Sequence, residues 1–374
     1  MDVPFADNLL MAWTRREALR RPVKPLTEFD PLKVRTVLLA LTTGLGDAVL
    51  STPVFNAVRC AWPQAKIALF VRSAWAPLFQ GERDIDQVIP YHGKWRRFFS
   101  TLKTLRMFAP DLTLVLHGND PDIIPLSYHA GSQFVVRVPT TGTRYSWLLS
   151  NLERTEDRAT MPGWHYIDNR LRLLDSVGIS ATRRTPVIRS RSSSTTKAWL
   201  ESNVGNKPYF VLHPWAADTY KTWPEVNVSD FLFAASERWS NLCIVLTGTT
   251  KERAIAERLV AGLPAGRCAI AAGEFSIAGT AELLATAKAV IAPDTGLLHL
   301  AAALNVPTVG LYSPTLVSMV GQRAESATTR SLQQPLTCAP CLEKKCPYPA
   351  ALCMSQFTSA EVLAALADCL GESA

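Results

Sequence analysis

Residues 34–60 read VRTVLLALTTGLGDAVLSTPVFNAVRC. The opening ten form a continuous apolar run with β-branched residues, the pattern of a strand buried in a parallel sheet. Gly44-Leu45-Gly46-Asp47 follows, and beyond it apolar positions recur at helical spacing. The reading is strand, glycine turn, helix. Two glycines allow a tight turn and a close approach of backbone to ligand.

The same grammar continues on the C-terminal side. KIALFVR (66–72), QVIPY (87–91), LTLVLHG (112–118) and FVVRV (134–138) read as strands, with a helical stretch around 96–108 and a helix over 165–178 ended by Gly178. Residues 182–197 are basic, rich in Ser and Thr and poor in apolar residues, which suits a linker or the first exposed element of a second domain. The pattern then restarts. YFVLHP (209–214), LCIVLTG (242–248), CAIAAG (268–273), AVIAPD (289–294) and TVGLYS (308–313) alternate with helical segments, among them TAELLATAK with Thr280 as its cap. The expected organisation is an arm over 1–33, Rossmann-like α/β domains over 34–185 and 186–357, and a C-terminal helix over 358–374. Parallel sheets of this kind bind ligands outside the carboxyl ends of their strands, and two facing domains would share one cleft.

Composition bounds the function. The chain has 374 residues, 48% hydrophobic and 19% charged, which excludes disorder and supports two cores. A net charge of +7 favours an anionic partner, or means nothing specific when spread over this length. No apolar run approaches the length needed to span a bilayer, and the N-terminus lacks the basic start and cleavage site of a signal peptide, so a cytoplasmic location is expected. The arm's Leu9, Leu10, Met11 and Trp13, with Arg15, Arg16, Arg20 and Arg21, suit either packing on their own domain or contact with an anionic membrane. Cys60, Cys243 and Cys268 sit within apolar runs and are expected as buried thiols.

Four constellations carry chemistry. Asp47 sits near a helix start, where it is either a general base toward a sugar hydroxyl or an N-cap. No third small residue and no Gly-Lys-Ser/Thr follows, so neither a dinucleotide fingerprint nor a P-loop fits. Lys221 lies in a polar loop flanked by Trp215 and Trp223-Pro224, and suits a diphosphate clamp. Asp294-Thr295-Gly296 passes from strand to helix, whose free N–H groups and dipole attract phosphate; His299 lies one turn on. The alternative there is a cap and a core histidine. Cys338, Cys341, Cys346 and Cys353 crowd sixteen residues. Structural zinc or iron held by four thiolates is one reading; a disulfide or free thiols is the other.

Together these segments resemble glycosyltransferase family 9, the ADP-heptose:lipopolysaccharide heptosyltransferases, from about Val34 to about Leu366. The carrying stretches are LLALTTGLGDAVLSTPVFNAVRCAWPQAKIALFVR, VLHPWAADTYKTWP, LCIVLTGTTKERAIAERL, AVIAPDTGLLHLAAALNVPTVGLYSPT and CAPCLEKKCPYPAALCM, in the family's order. The resemblance implies two Rossmann-like domains in a GT-B arrangement facing a central cleft, and an inverting transfer that needs no metal cofactor. It puts the catalytic aspartate on Asp47, with Thr43, Gly44 and Gly46 in the acceptor-side loop. It puts donor binding on Lys221, Asp294, Thr295, Gly296 and His299, with Gly248 opening a loop in which Glu252 would contact the nucleoside. The partners implied are an ADP-sugar donor and a glycan or glycolipid acceptor, the latter at the inner face of the cytoplasmic membrane. Thr42-Thr43-Gly44-Leu45 departs from the family's usual opening loop, residues 116–133 carry no usable pattern, and the arm has no counterpart.

Other readings of the same paired fold are a transferase using another nucleotide sugar or a protein acceptor, a non-hydrolysing sugar-nucleotide epimerase, or a degenerate binding module. Nucleic-acid binding is disfavoured, since no basic-aromatic module appears.

Overall fold

The computed structural model describes residues 5–118, 120–137, 144–151, 164–313, 315–334, 336–339, 341, 346 and 352–372. The chain divides into two compact units, Met1–Arg184 and Thr185–Ala374. The first unit runs α1 (Phe5–Arg20), β1 (Thr36–Leu41), α2 (Leu45–Leu50), α3 (Thr52–Ala61), β2 (Lys66–Arg72), α4 (Ala76–Phe79), β3 (Gln87–Tyr91), α5 (Phe98–Phe108), β4 (Leu112–His117), α6 (Ile123–His129), β5 (Phe134–Arg137) and α7 (Tyr166–Asp175). Its five strands lie in the order β3-β2-β1-β4-β5, all parallel. Val37 pairs with Ile67 on one side and Leu112 on the other, so the apolar run after Val34 is buried mid-sheet, as its composition requires.

The second unit runs α8 (Ser194–Asn203), β6 (Tyr209–Leu212), α9 (Glu225–Arg238), β7 (Cys243–Leu246), α10 (Arg253–Val260), β8 (Cys268–Ile270), α11 (Ile277–Ala285), β9 (Val290–Pro293), α12 (Gly296–Ala303), β10 (Thr308–Tyr312), α13 (Val317–Val320), β11 (Thr329–Gln333), α14 (Leu352–Ser355) and α15 (Ser359–Leu370). The strand order is β11-β10-β9-β6-β7-β8, again all parallel. Phe210, Phe231, Trp223 and Leu366 meet in its core, and a capping box between Thr358 and Glu361 starts α15. Two Rossmann-like α/β units in series are the fold class expected.

Each sheet reverses its strand order once: between β1 and β4 in the first unit, between β6 and β9 in the second. Crossovers leave in opposite directions at such a point and open a crevice at the carboxyl ends.

Some expectations are corrected. The cap of α11 is Ser276, whose side chain accepts from the Gly279 N–H; Thr280 lies inside the helix. The basic segment over 182–197 does span the division between the units and run into α8, but it is not all exposed: Thr196 is buried against the Gly279 carbonyl. Cys60 is exposed rather than buried, since it falls on the outer face of α3. Neither Gly44 nor Gly46 takes a positive φ; Gly44 is an extended N-cap, and a Cβ there would lie 3.5 Å from Asp47 Oδ2. In the arm, Leu10 is buried, Met11 packs on the core and Trp13 stacks on His129, leaving Leu9 and Leu19 outside.

Candidate active site

In the first unit the crevice is built around Asp47. The residue sits at the third position of α2, so it does not cap the helix. Its Oδ1 accepts from Arg170 Nη2 of α7 at 2.7 Å, and its Oδ2 accepts from Thr43 Oγ1 at 3.0 Å. His117, the last residue of β4, places Nδ1 2.7 Å from the same hydroxyl and 3.6 Å from the carboxylate. A carboxylate only accepts, so the Thr43 hydrogen goes to Asp47 and His117 Nδ1–H donates to Thr43. The chain of donors runs from His117 through Thr43 to Asp47. Burial works to raise the Asp47 carboxyl, but Arg170, His117 and the Thr43 hydrogen bond together hold it below the ordinary carboxylate range. Trp75 Nε1 and Arg72 Nε donate to the Thr43 and Thr42 carbonyls, which pins the loop.

In the second unit Lys221 follows β6 and Asp294 follows β9, the two strands that flank the crevice. Asp294 Oδ1 accepts from His299 Nε2 at 3.2 Å; its Oδ2 accepts from Thr315 Oγ1 at 2.6 Å and from Lys221 Nζ at 3.4 Å. Burial pushes the Asp294 carboxyl up, yet His299, Lys221 and Thr315 outweigh it and bring it to about 2. Asp294 is therefore ionised, and it holds both the lysine and the histidine in place. Thr295 is the N-cap of α12, but its hydroxyl makes no cap bond and is buried with no partner among the described residues. A buried hydroxyl left unpaired costs about 1–3 kcal/mol, which suits a site completed by a ligand. The first N–H groups of α12, from Gly296 on, add positive dipole there.

Trp215 and Trp223 anchor the lysine loop: Trp215 Nε1 donates to the Thr247 carbonyl and Trp223 Nε1 to the Phe357 carbonyl. Gly248 is required by that packing, since a Cβ would lie 2.8 Å from Trp215 Nε1. Glu252 caps the start of α10 and folds its carboxylate back onto the Thr249 N–H and hydroxyl.

The cysteine cluster is not gathered as a ligand set. Cys338, Cys341, Cys346 and Cys353 are all described, and among the described residues no group of three or more His, Cys, Asp or Glu is placed to hold a metal. Cys353 is buried with its thiol on the Tyr220 carbonyl at 3.7 Å. Among the described residues no zinc or iron site is assembled.

Three partners were not anticipated: Arg170, His117 and Thr315. His117 could have been found as a polar residue ending an apolar strand. Arg170 lies in a helix more than a hundred residues from Asp47, with no local signal.

The family model for glycosyltransferase family 9 (heptosyltransferase) matches residues 136–352. Lipopolysaccharide heptosyltransferase 1 of Pseudomonas aeruginosa is 29% identical over 330 residues, covering 83% of this chain and 87% of that protein. The solved structure of E. coli ADP-heptose lps heptosyltransferase II superposes with a TM-score of 0.71 at 20% identity, covering 90% of this chain and 99% of that one. E. coli heptosyltransferase WaaC with ADP superposes with a TM-score of 0.66 at 19% identity, covering 89% and 99%.

Proposed function

The chain belongs to glycosyltransferase family 9, the heptosyltransferase family, and on that premise we propose that it transfers a heptose from an ADP-activated donor to a glycan acceptor of the lipopolysaccharide-core type. The observation that carries the donor half is the buried Thr295 hydroxyl at the start of α12, without a partner among the described residues, with the Lys221 ammonium held close by through Asp294. Such a site takes a diphosphate. The ADP and heptose come from relatives: one has been solved with ADP, another is named for ADP-heptose.

The reaction follows from these groups. Asp47 accepts the proton of the acceptor hydroxyl as its oxygen bonds to the anomeric carbon. The bond from that carbon to the diphosphate oxygen breaks with inversion, and the electron pair leaves on ADP. Lys221 and the α12 N–H groups stabilise the growing charge, the role a bound cation would otherwise fill, so the transfer is proposed as metal-independent. Thr43 and His117 orient Asp47. Glu252 is kept as the nucleoside contact, reached once its carboxylate leaves Thr249. A lipid-linked acceptor would put the enzyme at the inner face of the cytoplasmic membrane.

The test is the thermal midpoint with ADP, UDP and GDP, since a ligand that binds only the native state raises it. ADP should stabilise the wild type and the Asp47→Ala variant alike, and Lys221→Ala should lose most of the shift. Asp47→Ala should abolish transfer. A shift with UDP or GDP alone overturns the donor, and near-normal turnover of Asp47→Ala overturns the base.

A further inference from the structure

One face of the first unit carries a pattern that the transfer chemistry does not use. From His92 to Pro110 the chain holds five basic residues, Lys94, Arg96, Arg97, Lys103 and Arg106, and no Asp or Glu. Within that stretch α5 turns Leu102 and Leu105 inward, while Phe99 and Met107 stay 79% and 77% exposed. Lys103, also exposed, lies one helical turn from each, so Phe99, Lys103 and Met107 form a single outward stripe.

α1 also exposes apolar and basic side chains, and its Glu17 pairs with Arg20 at 3.3 Å. Leu10 and Thr14 are buried, and Leu9, Leu19, Arg15 and Arg16 are exposed. The two helices meet at one residue of α6: Trp13 stacks on the His129 ring with centroids 3.7 Å apart, and Arg106 Nε donates to the His129 carbonyl at 3.0 Å. Both helices therefore pack on α6, and each keeps exposed apolar and basic side chains.

We propose that this α1–α5 face docks on an anionic phospholipid bilayer. Large apolar side chains set among Lys and Arg suit the interface of such a bilayer, where the rings and thioethers enter the acyl boundary and the cations stay with phosphates. The absence of acid between His92 and Pro110 removes the charge that would repel that surface. The proposal deepens the membrane-side placement given above, and is independent of which sugar is moved.

The experiment is co-sedimentation of the full chain with vesicles of phosphatidylcholine alone and of equal parts phosphatidylcholine and phosphatidylglycerol. Wild type should bind the mixed vesicles, release them in high salt and ignore the neutral ones. Phe99→Ser with Met107→Ser, and separately Lys103→Glu, should each weaken binding by about tenfold or more. Both act at exposed positions, and an unchanged ADP-induced shift in thermal midpoint shows the fold and donor site intact. Equal binding to both vesicles, binding to neither, or variants that bind like wild type overturns the proposal. So does self-association without lipid that the Ser variants abolish, because a second copy is then the occupant. Vesicle binding without any ADP shift would leave this proposal standing and sink the donor reading alone.

Discussion

Replacing Arg170 by methionine removes the guanidinium beside Asp47 and keeps most of the apolar stem. The two groups are 2.7 Å apart, with side chains 3% and 24% exposed. Breaking a buried pair costs about 3–5 kcal/mol, because the remaining charge is stranded. Asp47 keeps some water, the Thr43 hydroxyl and His117, so about 3 kcal/mol is expected. Most of that is the penalty on the carboxylate, so neutralising it should restore much of the loss. In a cycle of Arg170→Met, Asp47→Asn and the double variant, the summed single costs should exceed the double cost by about 2 kcal/mol. The pH dependence has a definite sign. Arg170 helps hold the Asp47 carboxyl low, so the stability this gives is full above the unfolded carboxylate range and is lost as pH falls through the lowered folded value. Without Arg170, burial acts less opposed, the carboxyl takes up its proton at higher pH, and the gap from wild type narrows on acidification. Urea unfolding near neutral pH and again at about pH 4.5 reads this, with an unchanged slope as the control. If the two units unfold separately, the effect belongs to the transition of the first. Additive single costs, or a gap that ignores pH, would refute the reasoning and assign the loss to packing.

Asp294 should show in acid. Its folded value of about 2, against an ordinary 3.8, gives about 2 kcal/mol that is present above the unfolded value and lost as pH falls toward the folded one; urea midpoints should show this loss and Asp294→Asn should lack it. His129 is pushed down to about 4 by burial and by Arg106 and Arg21. The neutral ring is the one the fold holds, so contact with α1 is at full strength above the unfolded value of about 6.5 and weakens as pH falls toward 4. Hydrogen exchange of α1 amides should speed up over that range, and His129→Gln should flatten the response. Gly248→Ala should cost about 1–3 kcal/mol by forcing the rigid, buried Trp215 ring off the Thr247 carbonyl, measured as a drop in urea midpoint at constant slope. An unchanged midpoint would mean that the loop moves instead.

The elements that the sequence determined by itself are those whose signal is local. Val34 to Asp47 could only be a buried strand feeding a helix, and the same grammar restarted at Tyr209, so two α/β units were legible without any contact being known. Asp294-Thr295-Gly296 was legible for the same reason: strand end, cap and first helical turn are consecutive residues. Short or polar elements were not legible. α6 lies in a stretch with no helical signature of its own, and is held by α1, α5 and the sheet around it. β11 reads TRSLQ, without the apolar run of a central strand, because it is an edge strand with one pairing partner. Partnerships were also out of reach. Arg170 and His117 meet Asp47 in the first unit, and Lys221 and Thr315 meet Asp294 in the second, only because parallel crossovers bring distant strand ends and helices to the crevice of each sheet. A residue type and its periodicity record where its own segment lies between core and water. Which charge lies opposite it is decided by the order of strands in the sheet, and that order is a property of the folded chain alone.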